Sequence, residues 1–131
     1  MLQQGRIEDA IFVFNEASKR GSENAEILCN LAYAYYQHED IEKAIPYLNR
    51  ALNLKPKRGS SLLLAGQIFA KLGEQQKAIS YFESYLYYSS NRKAAVEQLI
   101  QWSNGFEDGR NLVLRESAKQ ALMNAGYNNL E

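Results

Sequence analysis

The chain has 131 residues, 46% of them hydrophobic, and its 15 basic side chains balance its 15 acidic ones. This length suits one domain with a sizeable core, and a net charge of zero argues against a protein that binds nucleic acid by neutralising phosphates. The single cysteine, Cys29, cannot form an internal disulfide, and the single histidine, His38, cannot anchor a zinc site.

No run of apolar residues approaches the roughly 18 that a membrane-spanning helix needs, and the first residues lack the apolar stretch of a secretory signal. We therefore expect no direct insertion into a membrane and a cytoplasmic location. The sequence also lacks a phosphate-binding glycine loop, a His–Glu metal pair at helical spacing and a nucleophile with a histidine to serve it. It predicts no catalytic residue, no metal, no cofactor and no enzymatic activity.

The apolar residues repeat with a period of 34 residues. Alanine recurs at this step, at Ala10, Ala44 and Ala78. A large apolar residue follows four positions later in each unit, at Phe14, Leu48 and Phe82. Agreement of several positions on one period indicates a solenoid, in which each unit buries its apolar face against its neighbours.

Residues 1–24 are predicted to form only the second half of a repeat unit. Residues 1–5 align with residues 69–73, so a single helix is expected over about residues 7–20. Without a first helix to cover it, the stripe of Ile7, Ile11 and Phe14 is expected to promote homo-oligomers. We expect the chain to be a fragment of a longer repeat array; the alternative is a chain that starts with a lone capping helix.

Residues 25–58 and 59–92 are each predicted to form a hairpin of two helices. In the first hairpin, apolar residues fall at i, i+3, i+4 and i+7 in both helices, and Asp40 is a candidate N-cap for the second. In the second hairpin, Gly73 separates the helices. Close approach of the helix axes is expected where small residues face one another, Ala32 with Ala44 and Gly66 with Ala78.

Residues 93–131 are predicted to form a divergent final pair that covers the end of the stack. Helices are expected over residues 93–103 and 110–124, with a loop over residues 106–109. The stop before this loop is expected at Asn104-Gly105, since either residue tolerates left-handed backbone geometry.

Three stretches of residues 25–58 carry a known pattern. They are Leu28-x-x-Leu31-Ala32-x-x-Tyr35 in the first helix, Ala44-x-x-x-Leu48-x-x-Ala51 in the second, and Pro56 at the end. This pattern resembles the tetratricopeptide repeat almost position for position. Residues 59–92 match nearly as well, through Leu62, Gly66, Phe69, Gly73, Ala78 and Phe82. The resemblance implies an all-α fold: a right-handed superhelical solenoid of antiparallel helix hairpins, with about seven helices in a single domain over residues 1–131.

The second full unit departs from the family at Tyr85, where the family prefers a small residue. We expect this large side chain to face small ones, Ala94 and Ala95, at the start of the following helix. The neighbouring Tyr87 and Tyr88 are expected to pack between units rather than to contact a ligand.

In tetratricopeptide proteins the first helices line a concave groove that binds extended peptides or helices. The resemblance implies that this groove is lined by Glu26, Cys29, Asn30, Tyr33, Tyr36 and Gln37 from the first full unit, by Leu63, Gln67 and Lys71 from the second, and by Gln101 from the divergent unit. Asn30 is the most interesting of these groove residues, because a side-chain amide can donate to a backbone carbonyl of a bound peptide and accept from its N–H.

The resemblance favours a non-catalytic scaffold that binds a protein or peptide partner and no nucleic acid. One subclass of the family grips acidic tails with cations, but this sequence has Ser60 and Leu64 at those positions, so that mechanism is not expected. Alternatives are a self-assembling module, an accessory repeat domain of a larger enzyme such as a glycosyltransferase, and a secretion chaperone.

Overall fold

The computed structural model describes the backbone of residues 2–22, 24–105 and 111–127, and the side chains of all of these except residues 2–4 and 6. Over these ranges it contains seven α-helices and no strand, which confirms the predicted all-α class. The helices are α1 (Leu2–Lys19), α2 (Ala25–Gln37), α3 (Ile41–Leu54), α4 (Gly59–Lys71), α5 (Gln75–Tyr88), α6 (Arg92–Asn104) and α7 (Leu112–Asn124).

The chain divides into two compact units, Met1–Pro56 with α1 to α3 and Lys57–Glu131 with α4 to α7. In the first unit, hereafter unit 1, α2 packs on α3 as a hairpin and α1 packs along α2. The hairpin buries six residues almost completely, at Leu28, Leu31, Ala32, Ala44, Leu48 and Ala51. These are the positions of the predicted pattern, whose helical spacing places them on the facing sides of α2 and α3.

The connection between the two helices has the same structure in both predicted hairpins. Glu39 (φ +64°) and Gly73 (φ +78°) both adopt left-handed backbone geometry. The next amide then donates to the carbonyl five residues back, from Asp40 to Tyr35 and from Glu74 to Phe69, each at 2.9 Å. This hydrogen bond closes the end of the helix and satisfies one of its last carbonyls.

Contacts that flank this turn also recur after 34 residues. Lys43 pairs with Asp40 at 3.7 Å and Lys77 with Glu74 at 3.4 Å. Parallel aromatic rings stack across each hairpin, Tyr35 on Tyr47 at 6.0 Å and Phe69 on Tyr81 at 5.5 Å between centroids. Local turns, ion pairs and ring contacts therefore all follow the predicted period.

Helix α1 differs from its prediction at its start and in what covers it. It begins at Leu2 and runs through Gly5, because a nucleated helix gains one hydrogen bond per added residue and a mid-helix glycine costs only about 1 kcal/mol. The expected exposure of the stripe is wrong for Ile7, which is 5% exposed. Ile11 and Phe14 are half-buried, and the Phe14 ring packs edge-on against Tyr47 at 5.3 Å.

In the second unit, hereafter unit 2, α4 and α5 form a hairpin whose closest approach is at Gly66. A Cβ atom built on Gly66 would lie 2.3 Å from the Phe82 ring, so the nearest side chain across the hairpin is that of Phe82. Phe82 is fully buried in a core that also contains residues of α6 and α7. The Phe82 ring occupies the space that a Cβ atom on Gly66 would need.

The final two helices do not pack on the α4–α5 hairpin in the order in which they occur in the chain. Helix α7 packs along α5 and also contacts α4, whereas α6 makes few contacts with α5 and packs on α7. Small, fully buried residues on α7 allow this close approach, at Ser117, Ala118 and Ala121. Trp102 anchors α6 to the core through the Phe82 ring, 5.8 Å away.

Two expectations about this end of the chain are modified, and a third is not tested. Tyr85 packs on the core that includes Ala95, but its ring also lies within 4 Å of the Cβ position of Gly59, and Ala94 is exposed. Gly105 follows α6 as predicted, but in extended geometry (φ −96°, ψ −170°) rather than left-handed. The loop predicted over residues 106–109 lies outside the described residues.

Candidate functional site: the exposed face of α2

The predicted groove residues of unit 1 lie on one helix, α2, at a spacing that puts them on one side. Glu26, Asn30, Tyr33 and Gln37 follow one another at i, i+4, i+7 and i+11. Glu26, Asn30 and Tyr33 are exposed, Tyr33 to 43%, and Gln37 and Tyr36 are half-buried. We call these five residues the α2 surface.

Two tyrosines form the apolar part of the α2 surface. The rings of Tyr33 and Tyr36 stack with centroids 6.2 Å apart and planes 22° from parallel. Burial, and to a lesser degree the proximity of Tyr33, raises the pKa of the Tyr36 phenol above its ordinary value. Both effects favour the neutral phenol over the phenolate.

Cys29 does not belong to this surface. Only 4% of the residue is exposed, whereas its neighbour Asn30 is exposed. A free thiol in this position behaves as a small hydrophobic residue of the core. The resemblance to the repeat family placed Cys29 among the groove residues in the prediction, but the residue is buried in the structure.

The remaining predicted groove residues lie in unit 2 and on two helices. Leu63 and Gln67 of α4 are half-buried, and Lys71 at the end of the same helix is exposed. Gln101 is exposed on α6, a helix that packs on α7 rather than on α4. The structure therefore groups Leu63, Gln67 and Lys71 on one helix and separates Gln101 from them.

Two exposed aromatic surfaces were missed as candidate sites. Phe12 is 65% exposed on α1, and Tyr87 is 73% exposed on α5. Because Tyr87 is this exposed, the expectation that it packs between repeat units is wrong. The Tyr87 ring meets Tyr88 edge-on at 4.9 Å, and the Lys57 ammonium lies 5.2 Å from the centre of the Tyr88 ring. The run of tyrosines was the available signal, but helical spacing alone does not tell which of them faces solvent.

Neither a metal site nor a membrane span is found in the part of the chain that the structure describes. No three His, Cys, Asp or Glu side chains come together there in a way that could hold a metal ion. None of its helices combines the length and the apolar character that crossing a bilayer requires.

Comparison with known proteins places these hairpins in a repeat family. A family model described as "Anaphase-promoting complex, cyclosome, subunit 3" matches residues 3–85. The chain is 32% identical over 85 residues to "BBSome complex member BBS4" of Bos taurus, covering 65% of this chain and 16% of that protein. It is 37% identical over 57 residues to "Anaphase-promoting complex subunit CDC16" of Saccharomyces cerevisiae, covering 44% of this chain and 7% of that protein.

The matches confirm the tetratricopeptide-type repeat, since the matched family and both relatives are built from such repeats. Families of this type are in general non-catalytic scaffolds for protein–protein interaction. The chain spans less than a fifth of the length of either relative.

Proposed function

Because the chain belongs to the family described as anaphase-promoting complex, cyclosome, subunit 3, we propose that it is a non-catalytic scaffold whose α2 surface binds a peptide or helix of a partner protein. Both relatives are named as members of multi-subunit complexes. The proposal is that the present chain also belongs to such a complex and binds a neighbouring subunit in it.

The observation that carries the proposal is the exposed ring of Tyr33 above the half-buried Tyr36. An exposed aromatic residue held in place by a second ring offers a large contact area and loses little conformational freedom on binding. Tyrosine is also among the residues that contribute most to the binding energy of protein interfaces. A partner side chain stacked on Tyr33 would be the anchor of the complex.

Polar groups that precede Tyr33 on α2 would orient the bound chain. The Asn30 amide can donate one hydrogen bond and accept another, which suits the backbone of an extended peptide. Glu26 lies one turn further towards the start of α2 and adds a negative charge. We therefore expect the α2 surface to prefer peptides with an apolar or aromatic residue next to a basic one.

The test is to select peptides on the immobilised 131-residue chain from a random library and to measure their affinities by fluorescence anisotropy. We expect Tyr33→Ala to weaken binding about tenfold or more, as removal of an interface anchor does. Asn30→Ala should weaken it by a smaller factor. Circular dichroism should show an unchanged helix content for both variants.

Matched control variants carry the same changes away from the α2 surface. Tyr87→Ala removes a more exposed tyrosine from unit 2, and Asn49→Ala removes an exposed asparagine from α3. Both should bind the selected peptides as the unmodified chain does. Selected peptides that bind Tyr33→Ala and Asn30→Ala with undiminished affinity would contradict the proposal.

A further inference from the structure

Unit 2 has an open cleft of about 450 Å³ near the point where α5 ends and α6 begins. The space is compatible with the few contacts that α6 makes with α5. A volume of this size lies within the range of about 300 to 1,000 Å³ that is typical of ligand pockets. We call it the α5–α6 cleft; its lining includes Glu83, Leu86, Tyr87 and Tyr88 of α5, Arg92 at the start of α6, and Ala125, which follows α7.

Two tyrosines form the aromatic part of this lining. Tyr87 is 73% and Tyr88 43% exposed, and their rings meet with planes 88° apart. The Lys57 ammonium lies 5.2 Å from the centre of the Tyr88 ring, which is the geometry of a cation–π contact. A ring that packs against a second ring offers a bound chain a large apolar contact. Tyr87 is the ring that remains open to such a contact.

Three exposed cations accompany the tyrosines. Arg92 lines the cleft, Lys93 follows it on α6, and Lys57 is held against Tyr88. In the part of the chain that the structure describes, no acidic side chain forms an ion pair with any of these three. The first turn of α6 carries no acidic residue either. Positive charge without a partner beside an aromatic surface favours an anionic ligand.

Glu83 gives the charge of the cleft a direction. It is exposed and lies one helical turn before Tyr87, away from the end of α5, whereas Arg92 lies beyond that end. A ligand that is acidic along its whole length would therefore be repelled at Glu83. The matching ligand concentrates its negative charge at the Arg92 end and carries a basic group at the Glu83 end.

We propose that the α5–α6 cleft binds a phosphoserine-containing segment of a partner protein. A phosphoserine carries a charge of about −1.5 to −2 on three acceptor oxygens, so a single side chain engages both Arg92 and Lys57. A neighbouring apolar residue of the segment packs on Tyr87, and a basic residue further along pairs with Glu83. This site belongs to unit 2 and does not rest on the function proposed for the α2 surface.

The first experiment selects peptides on the immobilised 131-residue chain from a library with a fixed central phosphoserine and random flanking residues. Each selected peptide is then compared with its serine counterpart by fluorescence anisotropy. We expect phosphorylation to tighten binding at least tenfold for peptides that occupy the cleft. These peptides should be enriched in an apolar residue beside the phosphoserine and in a basic residue beyond it.

Substitutions locate the phosphate and the apolar residue in the cleft. Arg92→Glu should weaken binding of the phosphopeptides at least tenfold, because it reverses a charge that faces the phosphate. Tyr87→Ala should weaken it by about fivefold, and Tyr87→Phe, which keeps the ring, should retain the affinity. The control Lys119→Glu makes the same charge reversal at an exposed residue of α7 and should bind the phosphopeptides as the unmodified chain does.

Charge reversal at the other end tests the orientation of the bound segment. Glu83→Lys should weaken binding of a selected peptide that contains the basic residue, and should tighten binding of the same peptide with glutamate in its place. The opposite response, or none, would contradict the orientation and with it the proposal.

Three further results would overturn the proposal. One is a library in which no peptide depends on its phosphate for binding, and another is a phosphopeptide that binds Arg92→Glu with undiminished affinity. The third is competition by inorganic phosphate at the concentration of the peptide itself, which would indicate a site for a free anion only. Binding at the α2 surface is measured with Tyr33→Ala and Asn30→Ala, so the two proposals succeed or fail separately.

Discussion

Gly66 and Phe82 share one space in unit 2, and their sizes are matched. A Cβ atom on Gly66 would lie between 2.3 and 2.7 Å from three atoms of the fully buried Phe82 ring. At the equivalent positions of unit 1 the pair is Ala32 with Leu48, where a smaller side chain leaves room for the methyl group. The glycine is therefore required by packing and not by backbone geometry.

We expect Gly66→Ala to lower the free energy of unfolding by about 2 kcal/mol, the typical effect of overpacking a core. Urea denaturation followed by circular dichroism measures it. Gly5→Ala is the control, since a Cβ atom there meets no atom within 4 Å and alanine favours the helix. Adding Phe82→Leu to Gly66→Ala should recover part of the loss; a double variant as unstable as the sum of the single ones would contradict the matched sizes.

At the scale of the helices, the order of packing in unit 2 is set by side-chain volume. Ala118 and Ala121 of α7 are fully buried, and α7 rather than α6 lies along α5. The sequence predicted α6 and α7 and their approximate bounds, because apolar spacing within a helix is a local property. It did not predict which of the two packs on the hairpin, because that depends on which pair of distant surfaces fits best.

Enlarging one of these alanines should disturb α7 specifically. We expect Ala121→Leu to destabilise the chain by about 1 to 3 kcal/mol through overpacking, and to alter the fluorescence of Trp102, whose indole lies against the Phe82 ring. Ala94→Leu makes the same change at an exposed position of α6 and should alter stability by less than about 0.5 kcal/mol. Equal effects of the two variants would argue against close packing of α7.

At the scale of the whole molecule, buried phenols make stability depend on alkaline pH. Burial raises the pKa of Tyr36 and of Tyr85 above the ordinary value of 10.0. The unfolded chain therefore loses these protons at lower pH than the folded chain. The contribution is fully present below pH 10 and is lost as the pH rises through the raised pKa values.

We accordingly expect the free energy of unfolding to fall as the pH rises above about 10. It should fall less in the double variant Tyr36→Phe, Tyr85→Phe. Urea denaturation at a series of pH values measures both slopes. Tyr87→Phe removes a hydroxyl from a residue that is 73% exposed and should keep the original slope. The same slope in all three proteins would mean that neither buried phenol contributes.

The sequence by itself determined the repeat, the hairpins and the class of protein. Residues at i, i+3, i+4 and i+7 must share a face of a helix whatever surrounds it, and a 34-residue period carries that pattern from one unit to the next. The positions that the pattern marks as core, such as Leu28 and Leu48, are buried for this reason.

Only the tertiary structure decided which faces remain exposed. It buried Ile7 and Cys29, left Phe12 and Tyr87 in solvent, and placed α7 rather than α6 along α5. Local spacing gives the angle between side chains on one helix, whereas exposure depends on a second helix and on whether its volume fits. The candidate binding surfaces are defined by exposure, and they follow from the packing between helices rather than from the period of the sequence.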